Sequence, residues 1–297
     1  MIFFSVIIPT YNRAHLVAET VDTVLQQTYS HFEVILVDDG STDNTGAVIR
    51  QKYGADARVK YFYKQNEERG AARNFGLQQA KGDYAVFFDS DDRMLPHYLE
   101  TLNQTIAVHP GIFLLAAKYN YNNQGKTEIH PELQPLADGW YDRNFFLKGN
   151  ILACNYCVRI KDRTYRSFPE ERELASMEDW LFLLQNLENE KIFICNVICV
   201  TMMQHPERSM SNNQRVIAAR IKAKDWALGK LQLSGKEKKI LVAWSHYFCG
   251  IHQYLDYNRG ASVKESMAAI RTGGIHKKFL FLLAKSIAGR KLTTSFR

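Results

Sequence analysis

Apolar and polar positions alternate in blocks along the first 110 residues. Phe4 to Pro9 is a short apolar run closed by a proline and predicts a buried strand. From Ala14 to Gln27, Leu16, Val17, Thr20, Val21, Val24 and Leu25 fall at helical spacing. Glu33 to Val37 predicts the next buried strand, and Thr42 to Tyr53 a helix with Ser41 or Thr42 as N-cap. Val59 to Tyr63 predicts a third strand and Gly70 to Ala80 a helix stopped by Gly82. Tyr84 to Phe88 predicts a fourth strand, and Leu95 to His109 a helix that ends before Pro110.

This alternation predicts an α/β fold, a Rossmann-like, mostly parallel sheet with helices on both faces. The strands read as continuous Val, Ile and Phe runs, as doubly covered strands do. Ligands of such sheets bind beyond the carboxyl ends of the strands. Three of the four ends carry polar, loop-forming residues: Pro9 to Arg13, Asp38 to Ser41, and Asp89 to Asp92. All three should line one sheet edge. After about residue 112 the alternation weakens. Ile112 to Ala117 and Ile192 to Thr201 predict strands. Glu178 to Leu187 predicts a helix with Trp180, Leu181, Leu184 and Leu187 on one face. From Gln214 onward the pattern is helical, with no strand signal.

Composition narrows the class. With 46% hydrophobic and 23% charged residues among 297, the chain is neither a disordered tail nor a small disulfide scaffold. No apolar run approaches the ~20 residues of a spanning helix. The start lacks a charged n-region and a small-residue cleavage site, so no signal peptide is expected. Five irregularly spaced cysteines fit a reducing, cytoplasmic compartment. The net charge of +7 hides an asymmetry: residues 1–212 balance at −6 and residues 213–297 at +13. The basic region should face something anionic, such as a membrane surface or nucleic acid.

Asp89, Asp91 and Asp92 surround Ser90 at the end of the fourth strand. Mg²⁺ and Mn²⁺ take oxygen ligands, often one or two carboxylates together with substrate phosphates. Read alone, the cluster also fits a solvated acidic turn with Asp92 capping the next helix. Asp38 and Asp39 end the second strand, where a carboxylate can accept from a ribose hydroxyl or a base N–H. Read alone, an ordinary turn with Gly40 at positive φ fits these two at least as well.

In order and spacing, several segments resemble glycosyltransferase family 2 over roughly residues 3–212. They are SVIIPTYNR, FEVILVDDGSTDNT, GAARNFGL, GDYAVFFDSDD with MLP beyond it, MEDW and QHPERSMS. The resemblance implies the GT-A fold and an inverting, metal-dependent transferase acting on a nucleotide sugar, with UDP-linked donors the usual preference. It implies a catalytic domain over 1–212, with a nucleotide-binding half (1–111) and an acceptor-binding half (112–212), before a basic helical region (213–297). Pro9, Tyr11 and Arg13 would line the base and phosphate pocket. Asp39 would accept the uracil N3–H, with Asp38 beside it. Arg73 would lie near the nucleotide with Asn74 next to it. Asp89 and Asp91 match the DXD motif around Ser90. Asp91 is the foremost metal ligand, Asp89 contacts ribose or metal-bound water, and Asp92 is a third carboxylate. His205 and Ser209 fall in a segment that closes over the pyrophosphate, where His205 adds a metal or phosphate contact. Read locally, Arg73 also fits a surface ion pair and His205 a loop histidine without a ligand role. The cofactor expected is Mn²⁺ or Mg²⁺.

Transfer from a nucleotide sugar needs an activated acceptor hydroxyl and a stabilised leaving diphosphate. Glu178 and Asp179 match the family's ED motif. This makes Asp179 the general base, opposite the leaving group, and Glu178 a supporting carboxylate. Acidic residues also suit a first helical turn through the macrodipole. The acceptor expected is a glycan or lipid-linked oligosaccharide of surface polysaccharide synthesis.

Two other readings compete. A sugar nucleotidyltransferase would carry a Gly-rich, Arg/Lys-containing loop after the first strand, where Pro-Thr-Tyr-Asn-Arg stands. A catalytically inactive sugar- or membrane-binding scaffold would have little need for DXD and ED together. Cys154 with Cys157 and Cys195 with Cys199 read as buried structural thiols rather than a zinc site. Lys277 to Lys285 sets an apolar stripe between lysines, suiting the inner face of a cell membrane or a helical subdomain with a solvated lysine face. Nucleic acid is not expected as a partner, because no recognition motif is present and the acidic body repels phosphate.

Overall fold

A computed structural model describes residues 1–123, 125–162, 164–205 and 212–289. The expected alternation is present in order: β1 (Phe4–Thr10), α1 (Val17–Leu25), β2 (Phe32–Asp38), α2 (Thr45–Tyr53), β3 (Val59–Tyr63), α3 (Glu68–Gln79) and β4 (Tyr84–Phe87). Then come β5 (Arg93–Met94), α4 (Tyr98–Val108), β6 (Leu114–Asn123), β7 (Lys126–Ile129), β8 (Gly139–Tyr141), α5 (Arg143–Phe146), β9 (Tyr156–Arg159), α6 (Glu178–Asn186) and β10 (Ile192–Met203). The helices α7 (Asn213–Lys230), α8 (Gly235–Leu255), α9 (Arg259–Gly273) and α10 (Lys277–Ala288) follow.

The sheet runs β3-β2-β1-β4-β9-β6-β10-β5, with β7 on β6 and β8 on β10. β1 to β4 are mutually parallel, while β9 lies antiparallel between β4 and β6. Two reversals restore the direction, so β6 and β10 point the same way as β4. The carboxyl ends of β1, β2, β4, β6 and β10 therefore share one edge.

Pro9 does not end its strand. It is buried inside β1, one residue before Thr10. Proline lacks the N–H that a central strand needs. The Phe88 N–H reaches the Ile7 carbonyl at 3.0 Å, so Ile7 and Pro9 face the β4 side, where the paired register already ends at Ile7. The missing donor therefore breaks no ladder bond.

Asp92 does not cap the next helix. The short β5 intervenes, and α4 begins after His97. Ser41 and Thr42 do not cap α2 either, because its N-cap is Asn44. α3 packs close on β1: a Cβ on Gly76 would come within 2.4 Å of Ile7 Cγ2.

The described chain clusters into two compact units. The first comprises 1–142, 151–172 and 189–205 and holds the whole sheet. Its core is built from the buried apolar residues of β1, β2 and β4 with Leu114, Leu115, Ile192 and Ile194. The second comprises 143–150, 173–188 and the described residues after 205. The helix opened by Glu178 and Asp179 thus groups with the basic C-terminal helices. That unit is held by Ala243, Ala269 and Phe279 with Trp244, Tyr247 and Ile270 around them. Its α8 begins with a reciprocal Ser234–Glu237 capping box.

The five cysteines are free thiols and all buried. Burial pushes the Cys199 thiol up to about 12 and the Cys249 thiol up to about 11. Among the described residues no helix is long and apolar enough to cross a membrane.

Candidate active site

Polar loops gather at the shared edge because they bind one another. Asn12, in the left-handed region at φ 50, donates its N–H to Ser41 Oγ at 2.9 Å. Its Oδ1 accepts the Thr42 N–H at 2.8 Å. Asparagine tolerates this conformation better than most residues. The two residues expected to cap α2 are thereby committed to fastening the β1 loop to the β2 loop. Arg13 adds a backbone N–H bond to Thr45 Oγ1 at 2.9 Å.

Asp38 and Asp39 are both buried at the end of β2. Asp38 is enclosed by the Ser41 N–H at 2.8 Å and the Tyr61 hydroxyl at 2.7 Å. Burial and this bond raise the Tyr61 pKa, so the phenol stays a donor. Asp39 accepts Lys64 Nζ at 2.9 Å and the Glu67 N–H at 3.0 Å on Oδ1, and Asn66 Nδ2 at 3.2 Å on Oδ2. A carboxylate accepts about four hydrogen bonds, so Asp39 Oδ2 keeps capacity for another donor. Gly40 makes the close approach possible. It sits at φ +82, and a Cβ there would lie 2.8 Å from the Asn66 nitrogen.

At the end of β4, Asp89, Asp91 and Asp92 each place one carboxylate oxygen so that all three lie within 4.8 Å of one another. Such crowding is unfavourable without compensating positive charge or hydrogen bonds. Arg73, buried on α3, donates Nη2 to Asp89 Oδ1 at 2.8 Å and stacks 5.5 Å from the Phe168 ring. It is not a helix-surface ion pair. His205 Nε2 lies 2.9 Å from Asp91 Oδ2. The Met203 N–H donates to Asp92 Oδ1 at 3.1 Å. The end of β10 is thereby tied to the acidic loop.

Of the other expected residues, Tyr11 is exposed at this edge, Pro9 and Ser90 are buried, and Ser209 lies outside the described residues. Asn74 is buried and serves the backbone instead. It exchanges two hydrogen bonds with Phe168, both 2.9 Å, and donates to Glu170. Sequence reasoning missed Asn12, Lys64, Asn66 and Tyr61. The signal available was an asparagine in a strand-end loop and polar residues closing β3.

In the second unit, Glu178 is buried and Asp179 half-buried at the start of α6. Ser176 just before them holds φ 79, a strained value for a non-glycine residue. Asp179 Oδ2 accepts Asn150 Nδ2 at 2.8 Å, and Oδ1 accepts the Trp180 N–H at 2.7 Å. Trp180 is fixed in turn: its Nε1 donates to the Phe146 carbonyl at 2.7 Å, and the Arg220 guanidinium lies 3.6 Å from its ring centroid. Arg220 is buried on α7, donates Nε to Ser245 at 3.2 Å, and has no ion-pair partner among the described residues. A desolvated cation–π contact is worth ~2 kcal/mol or more, which helps offset that burial.

The comparisons fit this arrangement. Residues 5–168 match the model of glycosyl transferase family 2. The chain is 39% identical over 119 residues to the glycosyltransferase GlyG of Streptococcus pneumoniae, covering 40% of each chain. It is 31% identical over 183 residues to the putative teichuronic acid biosynthesis glycosyltransferase TuaG of Bacillus subtilis, covering 61% of this chain and 71% of that one. The match spans less than half the length of the first curated relatives. Among solved structures, S. aureus TarS 1–349 in complex with UDP-GlcNAc superposes with a TM-score of 0.69 at 22% identity, covering 95% of this chain and 84% of that chain. The fold is GT-A.

Proposed function

The chain belongs to glycosyl transferase family 2, and we propose that it moves a sugar from a UDP-linked donor to a glycan or lipid-linked oligosaccharide acceptor, with inversion at the anomeric carbon. The observation that carries this reading is the convergence of Asp39 and the Asp89–Asp91–Asp92 group on one sheet edge. The open capacity of Asp39 Oδ2 suits a base N–H such as that of uracil, and exposed Tyr11 suits stacking on the base. TarS, crystallised with UDP-GlcNAc, and TuaG, named for teichuronic acid biosynthesis, support the donor and the polysaccharide setting.

Three carboxylates within 4.8 Å are a donor set that fits Mn²⁺ or Mg²⁺, both of which prefer oxygen. Asp91 and Asp89 would hold the ion as the DXD pair, with Asp92 and His205 adjoining. When bound, it would supply positive charge to the leaving diphosphate. Arg73 fixes Asp89, and Arg13 contributes charge toward the phosphates. Asp179 takes the proton from the acceptor hydroxyl, held in orientation by Asn150 and the Trp180 N–H. Glu178 supports it. Attack from the face opposite the leaving group inverts the centre. Peripheral contact with a membrane surface through the basic residues after 212 completes the reading.

A hydrolysis and transfer screen across nucleotide sugars, each with Mn²⁺, Mg²⁺ or chelator, tests it. Turnover of a UDP-sugar that requires the cation is the expected result. Turnover only of a non-uridine donor, or indifference to chelator, would reject the corresponding part.

A further inference from the structure

We propose that the outward face of α10 is the membrane-docking surface, with Leu280, Phe281 and Ile287 entering an anionic bilayer while neighbouring lysines meet lipid phosphate. This goes further than the peripheral contact put forward above, and it rests on that reading.

α10 has two apolar faces. Phe279, Leu282 and Ser286 are buried, and Phe279 belongs to the core with Ala243 and Ala269. On the other side Lys277, Leu280, Phe281, Ala284, Ile287 and Ala288 are all exposed. That spacing places them in one stripe along the helix. A surface helix ordinarily turns its polar residues outward. This one leaves Leu280 45%, Phe281 61% and Ile287 52% exposed, with Ile275 at 84% just before it. Single exposed apolar side chains are ordinary, but a contiguous stripe marks a contact surface.

Charge identifies the occupant. Residues 257–289 carry Arg259, Lys264, Arg271, Lys277, Lys278 and Lys285 against one carboxylate, Glu265. Glu265 is already bonded to His246 Nδ1 at 2.7 Å. Lys285 Nζ lies 4.5 Å from the Phe281 ring centroid, so a cation accompanies the aromatic ring of the stripe. The flexible lysine stem lets the ammonium stay at phosphate depth while the ring goes deeper. An anionic bilayer satisfies both the apolar stripe and the cations. Nucleic acid would satisfy the charge alone, and a second copy of this chain would bring like charges together.

Co-sedimentation of the full chain with vesicles tests this, using phosphatidylcholine alone or mixed two to one with phosphatidylglycerol. The wild type is expected to partition onto mixed vesicles about tenfold or more better than onto phosphatidylcholine, and to be released by salt. Leu280→Ser/Phe281→Ser should lower that partition about tenfold or more with circular dichroism unchanged, since both side chains are exposed. Lys277→Ala/Lys285→Ala should weaken binding and flatten its salt dependence. If the serine variant binds as the wild type does, the α10 assignment is overturned while membrane contact stands. If the wild type ignores both vesicles, membrane contact fails as well. A wild-type dimer that the serine variant dissolves, seen by light scattering without vesicle binding, would reassign the face to self-association and overturn the proposal. No sugar donor enters any arm, so the results are independent of the transferase reading.

Discussion

The Asp89–Asp91–Asp92 group of the sheet unit and Asp179 of the helical unit are set up differently. In the sheet unit Asp89, Asp91 and Asp92 are crowded together, and their partners include Arg73 and His205, from α3 and the end of β10. In the helical unit the partners of Asp179 include Asn150 and the Trp180 N–H, both neutral donors. Three crowded carboxylates suit the capture of a cation, which relieves their mutual repulsion. The two bonds orient Asp179 as the proposed base requires. On the proposed reading, charge neutralisation would fall to one unit and proton removal to the other.

The sharpest way to break that division is Asp179→Asn. Transfer should fall about 10²–10⁴-fold while UDP affinity survives, as read by steady-state kinetics and calorimetry. Near wild-type turnover would remove Asp179 from the chemistry. Asp91→Ala should act on the other side of the contrast. Turnover should fall about 10²–10³-fold, and Mn²⁺ should no longer tighten UDP binding. Identical titrations with and without metal would refute the ligand role. A smaller effect is expected from Asn150→Ala, about tenfold in kcat with nucleotide affinity unchanged. An equal loss in both parameters would show that Asn150 merely holds the fold.

The smallest change concerns stability alone. Burial works to raise the Glu33 pKa, yet bonds from Lys60, Ser5 and the Lys81 N–H outweigh it and hold the carboxyl below its ordinary value. A depressed folded pKa gives stability that is present above about 4.5, the unfolded value, and lost as pH falls through the folded one. Glu33→Gln should cost ~1.5–3 kcal/mol at neutral pH, with the gap closing in acid, as measured by thermal unfolding. A gap that is constant with pH would mean the charge is irrelevant there.

Legibility followed physical cause. β1, β2 and β4 lie within a residue of their expected bounds, because doubly buried parallel strands are continuous apolar runs, and the half-buried edge strand β3 is found with its expected bounds. The acidic loops were legible as strand ends on one edge. β5, β7 and β8 were not, since strands of two to four residues leave no periodic trace. The direction of β9 could not be read, because period-2 patterning carries no sense of orientation. The capping expectation for Ser41 failed because its hydroxyl has a remote partner, Asn12, 29 positions away. The association of α6 with the C-terminal helices was equally invisible, since Trp180 and Arg220 meet only through folding.

The bare backbone at Gly76 matters beyond its own position. α3 can lie against Ile7 only while no methyl intervenes, and that same helix delivers Arg73 to Asp89. One extra carbon at position 76 would lever the helix outward and loosen the acid's grip three residues' reach away. The tolerance of the acidic loop to drift is thus written in a residue that has no side chain at all.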